Sequence, residues 1–338
     1  MSGVGAEQQD ALFVLAYYSI GQPKCITQAS RGEAGESWVV DTDQGRYLLR
    51  CHSPLYTLSS IDFELNLIEY LVSAGFPTAP LVYTRDGARR VEVDGRCWEL
   101  YAFLSGEGFR KENLAHTRSA AALLARFHKV VAGCHLSSEG IQGRHMGLEH
   151  VRQLIDRFES KLSGATRLGR ALAKPAVKLL RSQGNQALAG YQLIASRQPT
   201  LIHGDFHPDN VLFQGDQAAA LLNFSKASYS QRAYDVARGI LCFASLKSHH
   251  GRGSIALCLD WRRVKAFAEG YQATLPLSGA EIEALPALLR GAYLLDLCSL
   301  LEQEHNMGRK LSWLAHAWRF TRWLDKHDRK IAQCFSLH

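Results

Sequence analysis

The chain has 338 residues, of which 46% are hydrophobic, so it can bury one large or two moderate cores, and a disordered protein is excluded. No apolar run approaches the roughly 18 residues that cross a bilayer, and no basic segment precedes an apolar one at the N-terminus, so we expect a cytoplasmic protein without a membrane partner. The 39 Lys and Arg residues against 32 Asp and Glu give a net charge of +7, which favours an anionic ligand, and 8 scattered cysteines indicate reduced thiols rather than disulfides.

The first hundred residues predict a region of strands with two helices. Helical periodicity and strand-like alternation between turns give helices at 8–19 and 60–74, and strands at 25–29, 38–41, 46–51, 81–83, 91–93 and 97–103. The turn between the first two strands contains Gly32 and Gly35, whose backbone N–H groups could approach a phosphate. Two glycines are also common in ordinary hairpin turns, which is the alternative interpretation.

The rest of the chain predicts a mainly helical region, and we place the domain boundary between 1–106 and 107–338. The pattern gives helices at 117–131, 146–162, 255–271, 285–304 and around 313–330, and strands at 211–213 and 218–222. Basic and aromatic residues alternate near the C-terminus, as they do in some nucleic-acid-binding surfaces. Their helical spacing instead favours a packed aromatic face beside a solvated charged face, so we expect no nucleic-acid partner.

The most informative segment is 199–238. An apolar run at 200–202 ends in the polar loop His-Gly-Asp-Phe-His-Pro-Asp-Asn, which contains Asp205 and Asn210, and a predicted hairpin follows. Pairing of the hairpin strands returns Asn210 and Asn223 to the same open end, with Asp205 beside them. Three side-chain oxygens at one sheet edge could serve a hard cation such as Mg²⁺ and a phosphate, whereas a lone Asp or Asn there would more simply cap a turn.

This segment resembles the catalytic core of the aminoglycoside phosphotransferase and choline kinase family, which includes homoserine kinase-like enzymes and is related to the protein kinases. The resemblance rests on the polar loop, the hairpin, Leu-Asn-Phe at 222–224 and Tyr-Asp at 234–235, and it extends over roughly 25–310. It implies a two-lobed, protein-kinase-like α+β fold, with an antiparallel sheet in a small N-lobe and a larger, mainly helical C-lobe. It also implies ATP and Mg²⁺ as cofactors and a small-molecule hydroxyl as the acceptor.

By this resemblance, Asp205 is the catalytic aspartate that orients the acceptor hydroxyl and accepts its proton, and Asn210 is a ligand of Mg²⁺. His203 and Asp235 are expected to brace the catalytic loop. Asn223 stands where the family has the aspartate that holds Mg²⁺, which is the main departure from its pattern.

The resemblance also assigns nucleotide-binding roles in the N-terminal region. Arg50 takes the position of the cation that grips the ATP phosphates, and Glu64 in the following helix is its expected partner. The turn that contains Gly32, Gly35 and Ser37 would cover the phosphates. The segment that contains Tyr101 and Phe103 would hold adenine through backbone groups.

Two functional hypotheses follow from Asn223. The first is an active small-molecule kinase, and the second is a nucleotide-binding sensor with little activity, because an amide replaces the carboxylate that Mg²⁺ prefers. The asparagine is either a deliberate substitution that traps nucleotide or a natural divergence.

The acceptor is left open among amino acids, aminoglycosides, amino alcohols, sugars, natural products and, more distantly, a peptide hydroxyl. Asp296, Glu302 and Glu304 could meet a cationic amine of the acceptor, or they could be ordinary surface charges. We expect a monomer or a homodimer.

Overall fold

The structure is a computed structural model and describes residues 6–32, 35–137, 152–153, 155–157, 159–160, 167–250, 253–303 and 307–336. The chain divides into two compact units. The first unit comprises Met1–Glu107, Gly133–Gln142 and Ala219–Ser225, and the second comprises Gly108–Ala132, Gly143–Ala218 and Lys226–His338.

The first unit is built on one antiparallel sheet. Its helices and strands in chain order are α1 (Ala6–Leu15), β1 (Pro23–Gly32), β2 (Gly35–Thr42), β3 (Arg46–His52), α2 (Leu58–Ser73), β4 (Leu81–Val82), β5 (Val91–Val93) and β6 (Arg96–Ala102). The strand order is β1-β2-β3-β6-β4, and β5 also pairs with β6. Alternate residues are buried along β2, whereas β6 is buried at five consecutive positions, and the rings of Trp38 and Trp98 stack with centroids 5.3 Å apart. The alternation along β2 is the reason that this strand was predictable from the sequence.

The second unit is mainly helical. Its elements, with the hairpin that crosses the unit boundary, are α3 (Leu114–Val131), α4 (Arg167–Gln192), β7 (Thr200–Ile202), β8 (Val211–Gln214), β9 (Gln217–Leu221), β10 (Ser228–Ser230), α5 (Arg232–Ala244), β11 (Ser245–His250), β12 (Gly253–Leu259), α6 (Trp261–Gln272), α7 (Gly279–Gln303) and α8 (Met307–Ser336). The strands form three antiparallel pairs, β7 with β10, β8 with β9, and β11 with β12. The pairing of β7 with β10 positions the polar loop that follows β7.

The predicted helix at 255–271 is wrong over its first five residues. Residues 255–259 belong to β12, which pairs with β11, and the helix begins only at Trp261. The side chain of Asp260 accepts a hydrogen bond from the N–H of Arg262 and caps this start. A short apolar run fits a strand as well as a helix, so periodicity alone could not separate the two. The predicted helix at 146–162 falls mostly on residues outside those that the structure describes.

One described helix is long and apolar enough to cross a membrane, judged by length and composition alone. It spans Gly279–Glu302 with a mean hydropathy of 1.5, and 78% of its apolar window is buried inside the protein. The helix contains no uninterrupted apolar run of that length, because Arg290 and Asp296 lie within it. Burial of this kind is typical of a core helix.

Candidate active site

The loop after β7 carries Asp205 and depends on a glycine immediately before it. Gly204 has a φ of +77°, a left-handed conformation that side chains other than glycine rarely adopt. A Cβ at this position would lie 2.2 Å from the carbonyl oxygen of Lys226. The register of β7 with β10, in which Leu201 lies opposite Tyr229, produces this close approach. Any residue larger than glycine would therefore displace the loop that presents Asp205.

Asp235 on α5 braces the same loop. Its Oδ2 accepts a hydrogen bond from the N–H of His203 at 2.6 Å, and its Oδ1 accepts one from the N–H of Gly204 at 2.9 Å. Nε2 of His128 lies 3.0 Å from Oδ2, while Nδ1 of His128 lies 2.8 Å from the hydroxyl oxygen of Tyr271. Asp235 is fully buried, so these groups replace water around its carboxylate. The predicted brace is confirmed. No pattern in the sequence indicated that His128 takes part in it.

Asp205 itself lies between two cations. Nη2 of Arg238 donates to Oδ1 at 3.0 Å, and Nζ of Lys226 lies 2.9 Å from Oδ2. The backbone N–H of Asp205 donates to Nδ1 of His203 at 3.2 Å. Burial acts to raise the pKa of Asp205, but His207, Arg238 and Lys226 together hold that pKa far below its usual range. The carboxylate is therefore ionised at neutral pH and is a weak base.

Asn210 lies at the end of the short 3₁₀ turn Pro208–Asn210 and helps to shape the loop. Its Nδ2 donates to the backbone oxygen of Asp205 at 2.9 Å and lies 3.0 Å from Nε2 of His207. The residue is buried. Because the amide nitrogen faces the loop, the amide oxygen is the atom that could bind a cation.

Asn223 follows β9 and adopts a left-handed conformation with a φ of +63°. Asn and Asp enter this region more readily than other non-glycine residues. Its Oδ1 accepts a hydrogen bond from Oγ of Ser225 at 2.9 Å. An aspartate would accept the same hydrogen bond, so neither the backbone nor Ser225 discriminates between the two residues.

In the first unit, Arg50 on β3 lies against Glu64 on α2, the partner expected from the sequence. Nη1 of Arg50 lies 2.7 Å from Oε1 of Glu64, and only 14% of the arginine side chain and 1% of the glutamate side chain are exposed. Burial acts to lower the pKa of Arg50, but the charge of Glu64 holds that pKa above its usual value. A fixed guanidinium of this kind can bind an anion.

Glu99, His52 and Tyr101 form a buried polar group beside this pair. Glu99 on β6 is the cross-strand partner of Arg50. The hydroxyl of Tyr101 donates to Oε2 of Glu99 at 2.6 Å, and Nε2 of His52 lies 2.8 Å from Oε1. Burial acts to raise the pKa of Glu99, but His52 and Arg50 hold it below its usual value. Sequence reasoning missed Glu99 and His52, although their strand register relative to Arg50 was an available signal.

The turn predicted to cover phosphates lies only partly within the described residues. Gly32 is paired with Gly35 at the ends of β1 and β2, and residues 33–34 lie outside the described part of the chain. Gly35 has a φ of +121°, and a Cβ there would lie 2.0 Å from the carbonyl oxygen of Cys51. Ser37 on β2 is directly opposite Arg50 on β3. Close strand packing thus explains Gly35 without a ligand, and its phosphate role stays a prediction.

The segment predicted to hold adenine has its first backbone donors engaged. The N–H of Ala102 donates to the carbonyl oxygen of Pro80 at 3.0 Å, and the N–H of Phe103 donates to that of Arg46 at 3.2 Å. The Phe103 ring also lies 5.2 Å from the guanidinium carbon of Arg46. The side chain of Tyr101 is buried. A backbone donor to adenine would therefore come from beyond Phe103.

The acids suggested for binding an amine have different surroundings. Asp296 on α7 accepts a hydrogen bond from Nη1 of Arg238 at 2.8 Å, and 43% of its side chain is exposed. Glu302 accepts one from Nε of Arg157 at 2.8 Å. Glu304 lies outside the described residues. Of these acids, Asp296 is linked through Arg238 to Asp205.

Sequence comparison places this arrangement among known proteins. A sequence model described as the phosphotransferase enzyme family matches residues 26–267. A homoserine kinase from Caulobacter vibrioides is 31% identical over 280 residues, which cover 81% of this chain and 80% of that protein. A homoserine kinase from Phenylobacterium zucineum is 27% identical over 299 residues, with coverage of 86% and 84%.

Solved structures agree with the predicted fold class. A microcompartment-associated aminopropanol kinase has a TM-score of 0.71 at 17% identity, covering 96% of this chain and 98% of its own. An aminoglycoside phosphotransferase from Alicyclobacillus acidocaldarius has a TM-score of 0.65 at 16% identity, covering 95% and 96%. These likenesses confirm the protein-kinase-like α+β fold.

Proposed function

Because the chain belongs to the phosphotransferase enzyme family, we propose that it transfers the γ-phosphoryl group of ATP to a hydroxyl of a small molecule that also carries an amino group. Homoserine and aminopropanol, which appear in the names of the relatives, both have a hydroxyl and an amine. Aminoglycosides share this chemistry and are the next acceptors to consider. The chain is therefore a small-molecule kinase similar to homoserine kinase. The choice of an acceptor that carries an amino group is our proposal.

The observation that carries the proposal is the placement of the Asp205 carboxylate. It is held at the end of a braced loop, is buried, and contacts Arg238 and Lys226, whose positive charges favour its ionised form. An ionised carboxylate in a fixed position can accept a hydrogen bond from an acceptor hydroxyl and direct its oxygen toward the phosphorus. As a weak base, it takes the proton only late, when the hydroxyl has begun to bond to phosphorus.

Several described residues have the chemistry needed to hold the ATP phosphates and their metal. Arg50, oriented by Glu64, supplies a fixed cation for phosphate oxygens. Among these residues no group of three or more His, Cys, Asp or Glu side chains could hold a metal. The resemblance assigns Asn210 and Asn223 as metal ligands, and each carries an amide oxygen of the kind that a hard cation such as Mg²⁺ accepts. When bound, the metal would neutralise phosphate charge.

The test is a transfer assay with Mg-ATP and a panel of hydroxyl compounds that includes L-homoserine, amino alcohols and aminoglycosides. ADP release measures turnover, and ³¹P NMR identifies the phosphorylated oxygen. We expect transfer to at least one member, and a loss of about 10³-fold in Asp205→Asn with ATP affinity nearly unchanged. Asp209→Asn is the matched control, because its side chain in the same loop is 95% exposed. Absence of any phosphorylated product, or an equal loss of ATP binding in Asp205→Asn, would contradict the proposal.

A second candidate function is a nucleotide-binding sensor with little transferase activity. It is favoured by one observation, the neutral amide of Asn223 at the position where the family has an aspartate. ATP binding without turnover against the whole panel would support the sensor and oppose the kinase.

A further inference from the structure

Arg238 connects two carboxylates that are far apart in sequence. It lies on α5, and its Nη2 donates to Oδ1 of Asp205 at 3.0 Å while its Nη1 donates to Oδ1 of Asp296 at 2.8 Å. Only 10% of its side chain is exposed, and its buried Nε has no hydrogen-bond partner among the described residues. Its contact with the two carboxylates therefore rests on the two terminal nitrogens.

The two oxygens of Asp205 have unlike partners. Oδ1 faces the buried Arg238, whereas Oδ2 faces Lys226, whose side chain is 42% exposed, with Nε2 of His207 at 3.7 Å. A buried guanidinium has little freedom to move, and an exposed ammonium can exchange its partner for a ligand or water. Oδ1 is consequently the oxygen whose partner is held in place, and Oδ2 is the oxygen whose partner can be exchanged for a hydroxyl.

Asp296 in turn holds Arg238. A lone buried guanidinium with one carboxylate partner could pivot about that partner, but a second carboxylate on α7 defines its direction. The exposed part of Asp296 leaves that carboxylate accessible to a cationic group. Asp205 on the loop and Asp296 on α7 are therefore coupled through one side chain of α5.

We propose that Arg238 is a positioning residue for phosphoryl transfer, which fixes Oδ1 of Asp205 so that Oδ2 faces the acceptor hydroxyl, and that Asp296 fixes Arg238. This role rests on the proposed kinase function. Removal of Arg238 leaves the Asp205 carboxylate free to rotate, with Lys226 and His207 as its remaining side-chain partners.

The experiment compares Arg238→Met, Arg238→Lys and Asp296→Asn with the wild type. For Arg238→Met we expect kcat to fall about a hundredfold, the loss typical of a misplaced reacting group, with KM for ATP within about twofold. Arg238→Lys keeps the charge but cannot reproduce the two-point bridge, so it recovers only part of kcat. Asp296→Asn leaves the Asp205 contact in place, and we expect a loss of about threefold to tenfold.

Normalising kcat to the concentration of ATP-binding sites separates positioning from general destabilisation, because an unfolded fraction lowers the number of sites and not the kcat of each site. For a positioning role, kcat per site falls in Arg238→Met and recovers in part in Arg238→Lys. Arg232→Lys is the matched control, since it breaks the fork of another ion pair on the same helix and should leave kcat per site near the wild-type value.

A measurement without turnover keeps this inference separate from the proposed function. Crystal structures of the wild type and of Arg238→Met show the rotamer of the Asp205 side chain directly. An unchanged Asp205 rotamer, or a kcat within twofold of wild type in Arg238→Met, overturns the role of Arg238 even if the kinase is active. A changed rotamer supports that role, and if the wild type then phosphorylates no acceptor, only the proposed function fails.

Discussion

Asp205 shows how the surroundings of one residue determine what it can do in a reaction. His207, Arg238 and Lys226 lower the pKa of its carboxylate, so deprotonation of an acceptor hydroxyl in the ground state would be unfavourable. Phosphoryl transfer through a loose transition state needs little early deprotonation of the nucleophile. The environment therefore suits an orienting group better than a strong general base.

Asn223 carries the residue-scale prediction. Asn223→Asp should leave folding almost unchanged, because aspartate tolerates the φ of +63° and accepts the same hydrogen bond from Ser225. The added negative charge should bind Mg²⁺ more tightly and raise the rate by about 10²-fold or more, since metal and charge positioning supply most of phosphoryl-transfer catalysis. Mg²⁺-dependent ADP release with a responsive acceptor measures the effect. An aspartate form that is no faster, or binds Mg-ATP more weakly, would make asparagine the adapted residue and favour the sensor.

At the scale of elements, a side chain on one helix holds the backbone of a neighbouring loop in place. Asp235 on α5 binds the N–H groups of the loop after β7, and His128 on α3 contacts the same carboxylate. The loop therefore keeps its shape only when both helices are packed. We infer that mutations in the α3 interface reach Asp205 through this brace.

The β3–α2 pair gives the first element-scale prediction. Arg50→Ala should weaken ATP binding about tenfold to a hundredfold, and Glu64→Ala should do so less, because it removes only the orientation of Arg50. Isothermal titration calorimetry with ATP measures both changes. Asp62→Ala is the matched control on α2, since Asp62 contacts Arg89 on the surface. Parent-like affinity in both Arg50→Ala and Glu64→Ala would refute the assignment of this strand.

The ion pair between the starts of α5 and α7 gives a prediction on stability and pH. Nε of Arg232 donates to Oε1 of Glu281 at 2.7 Å and Nη2 to Oε2 at 2.9 Å. Burial acts to raise the pKa of Glu281, but Arg232 and Ser278 lower it from 4.5 to about 2. Because the folded pKa is the lower one, this contribution is present above pH 4.5 and is lost as pH falls toward 2, by on the order of 3 kcal/mol.

Urea unfolding at several pH values tests this sign. The free energy of unfolding of the wild type should fall more steeply between pH 5 and pH 3 than that of Glu281→Gln, which has no carboxyl group to titrate. The difference between the two proteins removes the contribution of other acids. Parallel curves would show that Glu281 has the same pKa in the folded and unfolded chains.

At the scale of the whole molecule, net charge and ligand binding act on the chain as a unit. The charge of +7 favours an anionic ligand such as ATP, and salt should screen this attraction. A ligand that binds only the folded chain stabilises it by mass action.

The prediction at this scale is that bound Mg-ATP stabilises the folded chain and that its removal reverses this effect. At a free ligand concentration about a hundredfold above its Kd, Mg-ATP should raise the free energy of unfolding by about 2.7 kcal/mol. Thermal unfolding should show a higher Tm with Mg-ATP, and EDTA should lower that Tm toward the ligand-free value. AMP with Mg²⁺ serves as the control because it lacks the β- and γ-phosphates. A Tm shift that is the same for AMP and ATP would exclude the proposed phosphate contacts.

The amino-acid sequence alone determined the parts of this protein that depend on neighbouring residues. Alternation predicted the strands around Arg50, helical spacing predicted the helix that carries Glu64, and turn chemistry predicted the polar loop of Asp205 and its hairpin. The predicted helix at 255–271 was wrong over its first five residues, because these apolar residues satisfy both periodicities and pairing with β11 selected the strand.

Only the tertiary structure determined which distant side chains meet. His128 and Asp235 are 107 positions apart in the chain, and the contact of Arg238 with Asp296 spans 58. A separation of this length leaves no periodic signal in the sequence. The two pairs form because helix packing excludes water from the charged groups, which then need other partners. The role of Asp205 could therefore be predicted from its own segment. Its ionised state and its fixed orientation depend on residues that helix packing brings into contact with it.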